Sequence, residues 1–181
     1  TKKPGYSALE AACIGDFYGV PISEEMQADN ERRYKTQVTL NVGGFIIPLL
    51  FSVYLLLNYS TLLLEIALAI LLMTLFSYML LEVKAGVGIV IPSYVGVFAI
   101  PLALILAPEV QAEAQAQAGN TAIAGLIFIL AIFGILLGLL ITVATLSREE
   151  VGSAFLNLGG IGSFQPIYLI SVLALLIGTV P

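Results

Sequence analysis

The chain has 181 residues, 59% of them apolar and only 10% charged, where soluble domains average roughly 45–50% and about 25%. So little charge cannot clothe a soluble surface, which argues against a soluble enzyme. A net charge of −5 with no basic patch argues against a nucleic-acid partner. Histidine is absent and Cys13 is the only cysteine. The commonest general base and metal ligand is therefore missing, an intrachain disulfide is impossible, and no cofactor is implied.

In chain order, a polar N-terminal arm, residues 1–36, precedes a membrane domain, residues 37–181. The arm mixes acids such as Asp16, Glu24, Glu25, Asp29 and Glu31 with Lys2, Lys3, Arg32, Arg33 and Lys35, and holds no apolar run long enough to span. Residues 6–20 are mildly amphipathic and read either as an interfacial segment or as part of a loosely ordered cytoplasmic arm.

Five apolar stretches follow, at residues 38–57, 61–81, 88–107, 121–146 and 163–180, each near the about 20 residues that cross a hydrocarbon core. They are continuously apolar rather than alternating, so helices are expected, not barrel strands. The expected fold is all-α: a polytopic membrane protein, a bundle of about five transmembrane helices whose odd-numbered members are broken by glycine and proline. Asn58, Tyr59 and Ser60 make a tight turn between the first two spans. Residues 108–120, rich in alanine and glutamine, read as a short surface helix or an extended loop.

Threading five spans alternately puts all seven Lys and Arg on one side, including Lys84 and Arg148. The positive-inside rule then gives a multi-pass protein of the cell membrane, with the N-terminus cytoplasmic and the C-terminus outside.

Spans one, three and five share an opening. The first reads Asn41-Val-Gly43-Gly44 and then Pro48; the third Gly86-Val-Gly88 and then Pro92; the fifth Asn157-Leu-Gly159-Gly160 and then Gln165-Pro166. Glycine and proline weaken a helix and free backbone groups, which in lipid must be buried in protein or face a wet cavity. Three such lead-ins at one end form a candidate vestibule of helix N-termini, or simply permit close packing. The shared Asn-x-Gly-Gly predicts that Gly43 and Gly44 lie beside Gly159 and Gly160. Pro166 lacks an N–H, so a carbonyl near Gly162 should lose its helical partner. Gln165 satisfies such a group, bridges to the Asn41–Gly44 lead-in, or faces interfacial water.

Span four carries Gly134 and Gly138, a small-xxx-small spacing for helix packing, internal or with a partner. Glu65, about one turn inside span two, is the candidate membrane carboxylate; Glu82 has Lys84 beside it near the other end.

The run from Asn41 through Gly43, Gly44 and Pro48, the Gly86–Pro92 motif and the Gly159–Pro166 motif together resemble an uncharacterised prokaryotic family of multi-spanning membrane proteins, the domain of unknown function 1614. The resemblance covers residues 37–180 and implies a membrane fold without an activity. Family members often carry aspartate where this chain has Gln165. The chain's only aspartates, Asp16 and Asp29, lie outside the spans. A two-aspartate intramembrane protease is therefore not available to it.

The expected function is a non-catalytic integral membrane protein, a structural or accessory subunit of a larger complex. The alternative is a small-solute or ion transporter or channel acting as an oligomer. An enzyme is not expected, because no nucleophile–base pair can be assembled. Expected partners are the lipid bilayer and either other membrane subunits or further copies of the chain.

Overall fold

A computed structural model describes residues 13–14, 17, 37–57, 63–84, 88–113, 119–146 and 155–179. Five apolar helices dominate it: α1 Ile47–Leu56, α2 Leu63–Leu80, α3 Ala99–Glu113, α4 Gly119–Thr145 and α5 Ile161–Thr179. A π-helical turn, Val42–Ile46, leads into α1, and a 3-10 turn, Val95–Phe98, leads into α3. Three helices are long and apolar enough to cross a membrane, at Leu63–Leu80, Thr121–Thr145 and Gly162–Thr179. The apolar helices Val42–Leu56 and Val95–Leu106 are shorter.

The centre is α4. Ile129, Leu130, Ala131 and Ile132 are consecutive and all 0% exposed; four successive positions point round the whole helix, so every face of it is covered. Of the α4 span 67% is buried, against 28% for α2 and for α5. The other four helices pack around it. On α2 the inward positions Ile66, Ala69, Met73 and Ser77 recur every three or four residues, while Leu64, Leu68, Leu71 and Met79 point outward. Apolar side chains on that outward face suit contact with lipid.

The Gly134/Gly138 spacing serves this packing. A Cβ on Gly134 would overlap Met73, and one on Gly138 would sit 2.7 Å from Ser77 Cβ and 3.2 Å from Tyr78 N. Glycine is what lets the two helices approach so closely. Thus α2, not a partner subunit, fills this face.

Two lead-ins depart from the expected helices. Residues expected to open spans one and three are extended: strand β1 is Gln37–Leu40 and strand β3 is Gly88–Val90. Strand β2, Glu82–Lys84, pairs antiparallel with β3. Strand β4, Phe155–Leu158, pairs parallel with β1, Thr39 opposite Asn157 and Leu40 opposite Leu158. The cause lies in the lead-in chemistry: β-branched Val38, Thr39 and Val90, followed by Asn41-x-Gly-Gly or by Ile91-Pro92, favour extended backbone over helix. Ladder pairing then satisfies backbone groups that a broken helix would leave free.

Helix α3 also runs further than expected, through Pro108 to Glu113. That accounts for the first half of the 108–120 segment as helix rather than loop. Of the N-terminal arm the structure describes Cys13, Ile14 and Phe17, with Lys84 Nζ 5.8 Å from the Phe17 ring centroid. Gly86 and the Asn58–Ser60 turn lie outside the described residues.

Candidate functional site

Both Asn-x-Gly-Gly lead-ins meet at one end of the bundle. Asn41 closes the end of β1: its N–H donates to the Leu158 carbonyl at 2.8 Å. Its side-chain Oδ1 accepts from Gly43 N at 2.9 Å and from Gly44 N at 3.1 Å. Asn41 is therefore the N-cap of the turn that leads into α1, satisfying two donors that a helix start leaves unpaired.

Opposite it, the chain turns at Gly159, where φ is +80°. Gly159 N donates to Ser163 Oγ at 3.0 Å. One glycine of each pair, Gly44 and Gly159, touches the other backbone to backbone, while Gly43 and Gly160 lie against the asparagines of their own lead-ins. A Cβ on Gly44 would overlap the Gly159 carbonyl, and one on Gly159 would lie 2.7 Å from Gly44 C and Phe45 N. Asn157 Cγ and Nδ2 would crowd a Cβ on Gly160 at 3.0 Å. Structurally the two motifs are not in step: Asn157 sits inside β4 opposite Thr39, whereas Asn41 follows β1.

The third lead-in joins from the other side of α5. A Cβ on Gly162 would overlap the Ile89 carbonyl, and Gly88, at φ +98°, faces the Leu156 side chain. The Gly162 carbonyl lies four residues before Pro166, so proline denies it a helical donor. Ile91 N donates to it at 2.8 Å. Pro92 follows directly, and Pro92 O accepts from Val95 N at 3.1 Å as the 3-10 turn begins. Pro48 and Pro166 are both buried.

An open cleft of about 370 Å³ lies at the first and last lead-ins, lined by Asn41, Gly43, Gly44, Gly159, Gly160, Phe164 and Gln165. Gln165 is exposed and faces this cleft rather than the freed carbonyl. Its polar side chains are two carboxamides, which neither titrate near neutral pH nor act as nucleophiles. The cleft can hold a ligand by hydrogen bonds and by contact with Phe164.

Glu65 stands apart, half-buried in the first turn of α2, where the helix N-terminus favours a carboxylate. Glu82 and Lys84 form an exposed pair at 3.6 Å. Among the described residues no three His, Cys, Asp or Glu come together as metal ligands. Sequence reasoning missed the participation of Thr39, Ser163 and Ile91. Each acts through a contact with a distant segment or a tight turn; Ile91 and Ser163 lie within the Gly86–Pro92 and Gly159–Pro166 motifs, but only their packing shows what they do.

A mostly helical bundle of apolar helices, with short paired strands and proline at the lead-ins, defines a membrane-associated helical protein. The chain belongs to the family described as Protein of unknown function (DUF1614), whose profile matches residues 3–177. No curated protein and no solved structure matches it.

Proposed function

We propose that the chain is a non-catalytic, multi-pass protein of the cell membrane, serving as a structural or accessory subunit of a larger membrane complex. The supporting observation is the chemistry of the cleft: main chain, two carboxamides and one aromatic ring, with no acid, base or nucleophile among its lining residues. Such a surface binds and positions, and does not transfer protons or form covalent intermediates. The charge pattern of the sequence supports a cytoplasmic N-terminal arm over residues 1–36, an outward C-terminus and a membrane domain over residues 37–181.

Native purification with intact-mass analysis tests the assignment. A fixed set of different membrane subunits is expected, and a homo-oligomer alone would refute it. Single cysteines at Gln115 and Arg148, introduced with Cys13→Ser, should label from opposite sides of the membrane. Labelling from one side would refute the topology.

One observation favours a second reading, a small-solute or ion transporter or channel built by oligomerisation. The open cleft lies where two interrupted helices begin, and the Gln165 carboxamide on its wall can hydrogen-bond a solute. Solute flux into liposomes containing the chain alone would select this reading.

A further inference from the structure

We infer that the cleft between the first and last lead-ins is a binding site for a primary ammonium group, carried by a lipid headgroup or by a free amine. The inference rests on the reading of the cleft as a surface that binds without catalysis, and names the chemistry it takes.

The turn that leads into α1 leaves one carbonyl without a donor. Phe45 N and Ile46 N donate to Asn41 O at 2.9 and 3.4 Å, and Ile47 N donates to Val42 O. The next N–H in that order would reach Gly43 O, but residue 48 is proline and has none. Gly43 O therefore lacks a helical donor, and no other backbone N–H among the described residues reaches it. In a membrane such a carbonyl must be buried in protein or face a wet cavity. Gly43 is exposed, and the cleft is the cavity it lines.

The backbone donors around the cleft, by contrast, are engaged. Asn41 Oδ1 holds Gly43 N and Gly44 N, and Ser163 Oγ holds Gly159 N. Gly160 N donates to Asn157 O at 3.3 Å, and Phe164 N to Gly160 O at 2.8 Å. Helix starts ordinarily hold anions on free N–H groups; here those groups are taken. No Lys or Arg is among the lining residues. An anion would find only the neutral amide N–H groups of Asn41 and Gln165. The dipole of α1 opposes a cation only weakly, because Asn41 Oδ1 covers two of the donors that carry its positive end.

A cation that donates hydrogen bonds meets a better match: Gly43 O, Gln165 Oε1 and an aromatic face. The Phe164 ring lies against the first lead-in, with Cδ2 3.2 Å from where a Cβ on Gly44 would sit, and stacks on Tyr168 with centroids 6.0 Å apart. Phe164 is 45% exposed, so its ring is open to a cation. The free carbonyl calls for an N–H, which a primary ammonium has and a quaternary one lacks. The volume, about 370 Å³, suits a small ligand or a headgroup. No carboxylate stands in the wall, so weak, millimolar-range binding is expected of so small a group.

The test titrates n-propylammonium chloride onto the full chain in phosphatidylcholine nanodiscs, read by saturation-transfer NMR against empty nanodiscs. Saturable binding is expected. The neutral n-propanol and tetramethylammonium, which has no N–H, should each bind about tenfold more weakly or worse. Pro48→Ala is the sharpest variant, because residue 48 does not line the cleft. Its new N–H reaches Gly43 O if the turn keeps its π-helical register; if the turn relaxes to α-helix, Ile47 N does. Either way the carbonyl is satisfied, and propylammonium binding should fall about tenfold, with its advantage over n-propanol lost. Gln165→Leu and Phe164→Leu should also weaken it, and a melting curve for each variant checks that it is folded. In mixed phosphatidylethanolamine–phosphatidylcholine nanodiscs, native mass spectrometry of retained lipid separates the sources. Enrichment of phosphatidylethanolamine assigns the site to a headgroup; propylammonium binding without enrichment assigns it to a free amine. Neither binding nor enrichment would overturn the proposal. So would equal binding of either control ligand, or an affinity that folded Pro48→Ala, Gln165→Leu and Phe164→Leu chains all leave unchanged. The titration uses the purified chain, so its failure leaves the outcome of the native-complex experiment untouched.

Discussion

Glycine does two different jobs in this molecule. At the α2–α4 interface Gly134 and Gly138 let one continuous helix lie against another. At the lead-ins Gly44 and Gly159 bring a π-helical turn and a tight turn together, their main chains fixed by the β1–β4 ladder and by Asn41. Two helices can separate slightly to admit a methyl group, each keeping its own hydrogen bonds. Two laddered turns cannot separate without breaking bonds between segments. The same residue type should therefore be far less replaceable at the lead-ins than along the helices.

Gly159→Ala attacks this contrast at its strongest point. It places a Cβ against Gly44 and Phe45 at a residue with φ +80°, so strain and overlap combine to a loss of about 2–5 kcal/mol. The expected result is a large fall in the melting temperature in detergent, or no folded protein. A Gly159→Ala chain melting with wild type would erase the distinction. Gly138→Ala should be milder, about 1–3 kcal/mol, and Ser77→Gly should recover part of that loss in a double-mutant cycle. Recovery sharpens the comparison; additive effects would place the clash elsewhere.

Asn41→Ala leaves Gly43 N and Gly44 N without their cap and should cost about 1 kcal/mol. Asn41→Asp keeps the acceptor and should retain most of it, as read by denaturant or thermal titration. Gln165→Leu marks the lower limit. Because Gln165 is exposed, its replacement should change stability by no more than about 0.5 kcal/mol. A larger loss would mean that the amide has a structural partner.

How much of this was written in the sequence depends on how far apart the cooperating residues lie. The apolar helices are legible because twenty-odd uncharged residues have few other ways to fold. Gly134 and Gly138 announce a close contact, but nothing local says that Met73 and Ser77 fill it. The strands were hidden for a related reason. Gln37–Leu40 and Gly88–Val90 are short, and each adjoins a longer apolar run. At that length periodicity cannot separate a strand from the first turn of a helix. Pro166 signals a carbonyl in want of a donor. That Ile91 supplies the donor, while Gln165 turns to the cleft, follows only from how the third lead-in packs on the fifth helix.

The ladder between β1 and β4 also bears on how the chain is made. It ties the start of the first apolar helix to the start of the last. At synthesis rates of about 5–20 residues per second, Phe155 emerges on the order of ten seconds after Gln37. Through that interval the inner edge of β1 and the bare face of Gly44 have no native partner. The closure of this ladder is thus non-local, and a nascent chain stalled before α5 would expose the surface that a quality-control protease or a holding chaperone is built to find.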